Sequence, residues 1–144
     1  TPGYRDSDLT EVMNFSDALW YVADTGRQKN SHSVYALYRR VNGGSSQEMI
    51  EGVEHMQLLF GVPSGRNTRY APARDIHPDW DQVTTVRVAL LIQSFASVRD
   101  TDDTADYALL DETIGPDAHS GGKVLRQVFR TTVVLRNTAF DTPS

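Results

Sequence analysis

The sequence predicts a mainly antiparallel β-sheet domain whose sheet needs a further layer packed on it. Three observations predict it. Residues 84–95, TTVRVALLIQSF, set Val86, Val88, Leu90 and Ile92 against Arg87 and Gln93. Residues 124–137, VLRQVFRTTVVLRN, set Leu125, Gln127, Phe129, Thr131, Val133 and Leu135 against Arg126, Arg130, Thr132 and Arg136. Period two marks a strand with one face buried. Nearer the start, two aromatic and β-branched runs lie either side of a glycine-containing turn, as in a hairpin. Apolar sheet faces cannot be left in water, so the sheet must pack on something else, which an upstream segment would supply.

The elements follow in order. In residues 1–14, Ser7 or Asp8 can cap a short helical turn carrying Leu9, Val12 and Met13, too short to stand alone. FSDALWYVADTG places Leu19, Tyr21 and Ala23 on one face and Trp20 and Val22 on the other, then stops at a turn with Asp24 and Gly26. SVYALYRRV, residues 33–41, forms the second strand and ends at NGGSS, where Asn42 and Gly43 readily take positive φ. Residues 48–62 fit both periods; Gly52 and Gly61 count against a long helix, so a short turn leading into a strand from about Glu54 is expected. Residues 63–80 hold three prolines and read as an extended surface excursion, with Asp79 or Asp81 starting one helical turn. Residues 98–106 form an acidic loop, YALL a short strand, and GPDAHSGG a flexible loop before the closing strand.

Composition narrows the function. The 144 residues, 39% hydrophobic and 23% charged, suit one globular domain spanning 1–144. The net charge of -5, from 14 basic and 19 acidic residues, argues against nucleic acid and anionic lipid as partners. Without cysteine there are no disulfides, thiolate metal sites or cysteine nucleophiles. The apolar run VALLI is far short of the roughly 20 residues that span a bilayer. The chain starts at Thr1 with no signal-peptide pattern, so it is expected to be a processed product or fragment lacking something upstream.

No set of catalytic groups assembles. His32, His55, His77 and His119 lie in separate segments, without the local ligand pairs of a metal site, so no metal and no cofactor is expected. The cluster Asp100, Asp102, Asp103 and Asp106 lacks the glycine and closing glutamate of an EF-hand loop, and a solvated loop is the better reading. HSGGK lacks the first glycine and the Ser/Thr of a phosphate loop, and GVPSG has Val62 where a nucleophile elbow needs glycine. Asn14-Phe15-Ser16 matches a glycosylation acceptor, a pattern that chance supplies often. The positive feature on regular structure is the stripe Arg126, Arg130 and Arg136, joined across the sheet by Arg87. It reads as a solvated outer face or, functionally, as a contact surface for acidic groups on a partner.

Three ordered stretches carry a resemblance: VYALYRRVNG followed by EMIEGVEHMQLLFGV, then DWDQVTTVRVALLIQS, then LRQVFRTTVVLRN. Over roughly residues 33–137 the chain resembles the C-terminal head of PilW-type minor pilins, the prepilin-like (pseudopilin) proteins of bacterial type IV pilus assembly. The resemblance implies a pilin-like α+β head, in which a long N-terminal helix packs in its second half on an antiparallel sheet. That helix is largely absent from this chain. It also implies a non-enzymatic subunit that helps initiate pilus assembly with other minor pilins as partners. The full-length form would be anchored in the inner membrane with a periplasmic head, or incorporated in the pilus; the fragment is expected to be a soluble monomer. On this reading the apolar face of the closing strand lies in the core and its arginines face a neighbour. The alternative is a periplasmic or secreted carbohydrate- or ligand-binding β-domain that stacks its ligand on Trp20, Trp80 and nearby tyrosines.

Overall fold

The computed structural model describes residues 15–135. The helical turn expected around Leu9, Val12 and Met13, the Asn14 acceptor and Arg136 lie outside them. In chain order the strands are β1 (Ala18–Lys29), β2 (His32–Val41), β3 (Gln47–Glu51), β4 (Val53–Ser64), β5 (Asn67–Ala71), β6 (Thr85–Gln93), β7 (Tyr107–Ala108), β8 (Thr113–Ile114) and β9 (Arg126–Val134). They form an antiparallel sheet of order β1-β2-β3, a second of order β5-β4-β6-β9, and a small β7-β8 hairpin. Among the described residues helix is confined to two 3-10 turns, Ala73–Asp75 and Asp79–Gln82. The sheet-rich expectation therefore holds, while the helical layer of an α+β head is not among these residues. No described helix is long and apolar enough to cross a membrane.

Local sequence explains the joins. The Asn42-Gly43 turn has φ of 49° and 67° at its two central residues, and Gly44 N–H closes it on Val41 O at 2.9 Å. Positive φ at both positions matches the right-handed twist of the flanking strands. The ambiguous run 48–62 proves to be two strands bent at Gly52. Gly52 N–H donates to Tyr35 O of β2 at 2.8 Å, and Gln93 N–H of β6 donates to Gly52 O at 2.9 Å. One residue thus bonds to both sheets. Residues 63–71 are a hairpin rather than the expected excursion: the ladder continues through Val62↔Arg69, Pro63↔Thr68 and Ser64↔Asn67. Proline is tolerated because β6 ends its pairing opposite Gly61, leaving β4 paired on one side at Pro63.

The four-stranded sheet is covered unequally. On one face Ala89 and Leu91 of β6 pack under Leu109 and Ile114, with Tyr107, Leu110 and Val128 around them. On the other, Ile76 and Val83 of the segment after β5 pack with Val62, Phe60, Val86 and Leu135 at one end only. Trp80 closes that end with its ring edge-on to Phe60, centroids 4.9 Å apart.

At its start the closing strand turns inward the face opposite to the one expected, and from Phe129 onward both faces are exposed. Arg126 is 4% exposed, whereas Leu125, Phe129 and Val133 are 54%, 50% and 47% exposed. Alternation separates two faces but does not say which one another layer covers, and here the loop carrying β7 and β8 covers the arginine side. Phe129→Ala should then cost no more than about 1 kcal/mol in the dilute chain, against roughly 3–5 for a buried phenylalanine. Urea unfolding midpoints measure this, and a loss in the buried range would restore the opposite face assignment.

Candidate assembly surface

The register brings Arg87, Arg126 and Arg130 to one face of the sheet, since Arg87 pairs with Thr132, Ala89 with Arg130 and Gln93 with Arg126. They do not form a common exposed stripe. Arg87 is exposed and lies 3.7 Å over the Tyr70 ring. Arg130 turns its guanidinium back onto β7, with Nε donating to Leu109 O at 2.7 Å and Nη2 to Ala108 O. Arg126 is enclosed: its side chain is 0% exposed and pairs with Glu54 and Asp103, themselves 2% and 0% exposed. The expected partner contact at Arg126 is corrected accordingly. An arginine in a strand's alternation can be buried when carboxylates and other acceptors from elsewhere meet its donor nitrogens.

The Arg126 site is built from three segments. Nε donates to Glu54 Oε2 at 2.6 Å, Nη2 to Glu54 Oε1 at 3.1 Å, and Nη1 to Asp103 Oδ2 at 2.9 Å. Nη2 also donates to Gly121 O at 2.6 Å and to Ser120 Oγ at 2.9 Å. Glu54 accepts from Ser120 Oγ, and Asp103 Oδ2 from Tyr107 Oη at 2.7 Å. Arg99 Nη1 and Ala105 N–H both reach Asp103 Oδ1 at 3.2 Å. Burial alone would raise both carboxyls, but the hydrogen bonds from Arg126 and Ser120 to Glu54, and from Tyr107 and Arg126 to Asp103, hold them below their ordinary values. For Arg126 burial opposes the charge and the two carboxylates outweigh it, so its pKa is raised. The site therefore stays charged on both sides at neutral pH.

This arrangement pins the acidic loop to the sheet. Asp103, one of the four aspartates read as solvated, is turned inward. The pairing of Glu54 and Asp103 with Arg126 is not visible in the sequence because they stand 72 and 23 residues from it. The available signal was a glutamate where β4 otherwise turns apolar, which requires a cation if buried.

A cleft of about 290 Å3 opens beside the site, lined by Tyr35, Glu54, His55, Asp117, His119 and Ser120. His55 Nε2 lies 2.8 Å from Ala118 O. His119 Nδ1 accepts from Gly121 N–H at 3.2 Å, which leaves Nε2–H to donate to Ala105 O at 3.2 Å. These contacts hold the loop and give the cleft walls of fixed shape. Of the two tryptophans considered as stacking surfaces, Trp20 sits under the Arg39 guanidinium at 5.7 Å and Trp80 against Phe60.

The larger apolar feature is the sheet face left open among the described residues. Met56, Leu90 and Phe129 form one cross-strand row, and Leu58, Val88 and Thr131 the next. Ile92 and Val133 extend it at either end, and the five β4 and β6 residues named are only partly buried. A contiguous apolar face of this kind marks a surface that another element covers.

The chain matches the family described as Type IV Pilus-assembly protein W over residues 20–137. That span takes in every strand described except the first two residues of β1. No curated protein and no solved structure matches the chain.

Proposed function

Because the chain belongs to the PilW family of type IV pilus-assembly proteins, we propose that it is the head of a minor pilin that helps initiate the pilus fibre together with other minor pilins. The observation that carries this reading is the open apolar face of Met56, Leu58, Val88, Leu90 and Phe129. A helix encoded upstream lies on that face with its second half, while its apolar first half anchors the full-length protein in the inner membrane. The head then faces the periplasm and is carried into the fibre with the helix. The role is one of assembly through protein contacts, needs no cofactor, and leaves exposed Arg87 as a cation for a neighbouring subunit. Charge at such a contact sets partner choice and association rate more than raw affinity.

Deleting the gene should reduce surface pili, and a copy lacking the upstream helix should not restore them. Phe129→Asp in the full-length protein should also fail to restore pili, because a carboxylate then sits under the helix. The isolated head should stay folded with that substitution and lose no more than about 1–2 kcal/mol, since Phe129 is already half exposed. Normal piliation after deletion, with no other minor pilin substituting, would overturn the assignment; full rescue by Phe129→Asp would remove the helix from this face.

A further inference from the structure

Among the described residues the outer edge of β9 is a long strand edge without a guard. β9 pairs with β6 over nine residues with no register shift, and it contains neither proline nor glycine. Ser94 N–H donates to Leu125 O at 2.7 Å and Leu135 N–H to Thr84 O at 2.8 Å. These bonds bracket the ladder and fix its phase: odd positions exchange backbone bonds with β6, and even positions turn their N–H and C=O outward. Among the described residues no backbone bond from another strand reaches Val128, Arg130, Thr132 or Val134 on that side.

Other edges are protected. The outer strand β1 breaks register between Asp24 and Gln28 and carries Arg27 and Lys29 there, and β3 and β5 have five residues each. A bulge, charge or short length discourages pairing with another chain. On β9 the charge that would serve, Arg130, is drawn back onto the carbonyls of Ala108 and Leu109. Val134, the last residue of the strand, is 67% exposed.

We propose that β9 pairs antiparallel with β9 of a second copy of this chain, about a two-fold axis at Thr131. The phase of the ladder allows only registers that set even residues opposite even residues. Centring on Thr131 sets Val128 opposite Val134, Phe129 opposite Val133, Arg130 opposite Thr132 and Thr131 opposite itself. Phe129 with Val133 and Thr131 with itself are combinations that stabilise neighbouring strands, and no like charges meet among these pairs. Centring on Arg130 would instead oppose two arginines. The chosen register continues both four-stranded sheets into one sheet of eight strands and is closed by its symmetry, so it stops at two copies. It differs from the monomer expected of the isolated head.

The test uses the 144-residue chain in sedimentation across a concentration series. A reversible dimer is expected. Thr132→Lys, which faces Arg130 of the other copy twice per dimer, should weaken it by about tenfold, with the unfolding midpoint measured in parallel. Thr131→Cys supplies the sole thiol and should give a disulfide-linked dimer under oxidised glutathione, because directly opposed residues of a non-bonded pair lie close enough. Gln127→Cys, far from the axis, should not. Monomer at every concentration would overturn the proposal, whether the edge is then bare or paired within its own chain. So would a dimer indifferent to Thr132→Lys, or one cross-linked as readily from residue 127 as from 131.

Discussion

Arg126→Met should destabilise the isolated chain by about 3–5 kcal/mol at neutral pH, a large part of the stability of a domain this size. The loss comes from what remains behind. Glu54 and Asp103 are 2% and 0% exposed at their side chains, and without the guanidinium each is a carboxylate taken out of water with no cation. The sign with pH separates this from lost packing. In the native protein both carboxyls are held below their ordinary values of 4.5 and 3.8. Between folded and unfolded values the unfolded chain binds more protons, so native stability is complete above about pH 5 and falls as pH drops through the folded values. In the variant, burial without a partner raises both carboxyls, the folded chain binds more protons, and stability increases as pH falls from neutral toward 4. Urea unfolding at pH 7, 5 and 4 should show the cost of the substitution shrinking on acidification. A second arm replaces all three residues, as Arg126→Met with Glu54→Leu and Asp103→Leu, and should recover most of the loss, since apolar groups of similar size can replace a buried ion network. A cost that stays constant with pH, and persists in the triple variant, would mean that the arginine stem contributes by packing alone.

The same residue shows how far the sequence is legible. Period-two alternation located β6 and β9 to within about three residues, because cross-strand pairing demands it regardless of what lies on either face. Which face is covered depends on a loop more than 20 residues of chain away from Arg126 along the sequence, Asp103 being at a separation of 23, and alternation carries no information about that. Arginines on an alternating strand suggest solvent; two distant carboxylates invert the answer. The β4-β5 hairpin was hidden for a different reason. Pro63 lowers strand expectation locally, yet it is harmless where β4 has lost its second neighbour. The open face of Met56, Leu90 and Phe129 was legible in composition as apolar surface needing cover, and the family match over residues 20–137 gives that need a context in pilus assembly.

Gly52→Val should be the most damaging change outside the ion network, with a cost of about 3 kcal/mol or more. Two separate effects add at this position. Gly52 has φ of +87°, a conformation that a β-branched residue does not adopt without strain of roughly 1–3 kcal/mol. A Cβ there would also stand 2.8 Å from the Gln93 carbonyl oxygen and 3.3 Å from Cε1 of the Phe95 ring. The ring can swing aside, but the carbonyl belongs to the backbone of β6 and is held near by the Gln93 N–H bond to Gly52 O, so relieving the contact loosens the join between the sheets. Gly52→Ala, which adds the same Cβ without branching, should lose less than Gly52→Val but still more than 1 kcal/mol, about the difference expected from glycine-specific backbone freedom alone. Urea midpoints rank the two variants. Amide exchange at Gly52 and Gln93 locates the damage, since each donates across the join and both should lose protection ahead of the β6-β9 ladder. Losses below about 1 kcal/mol for both variants, with protection at Gly52 and Gln93 unchanged, would mean that the bend relaxes freely. The β1-β2-β3 sheet would then be a loosely attached flap, rather than a rigid continuation of the four-stranded sheet.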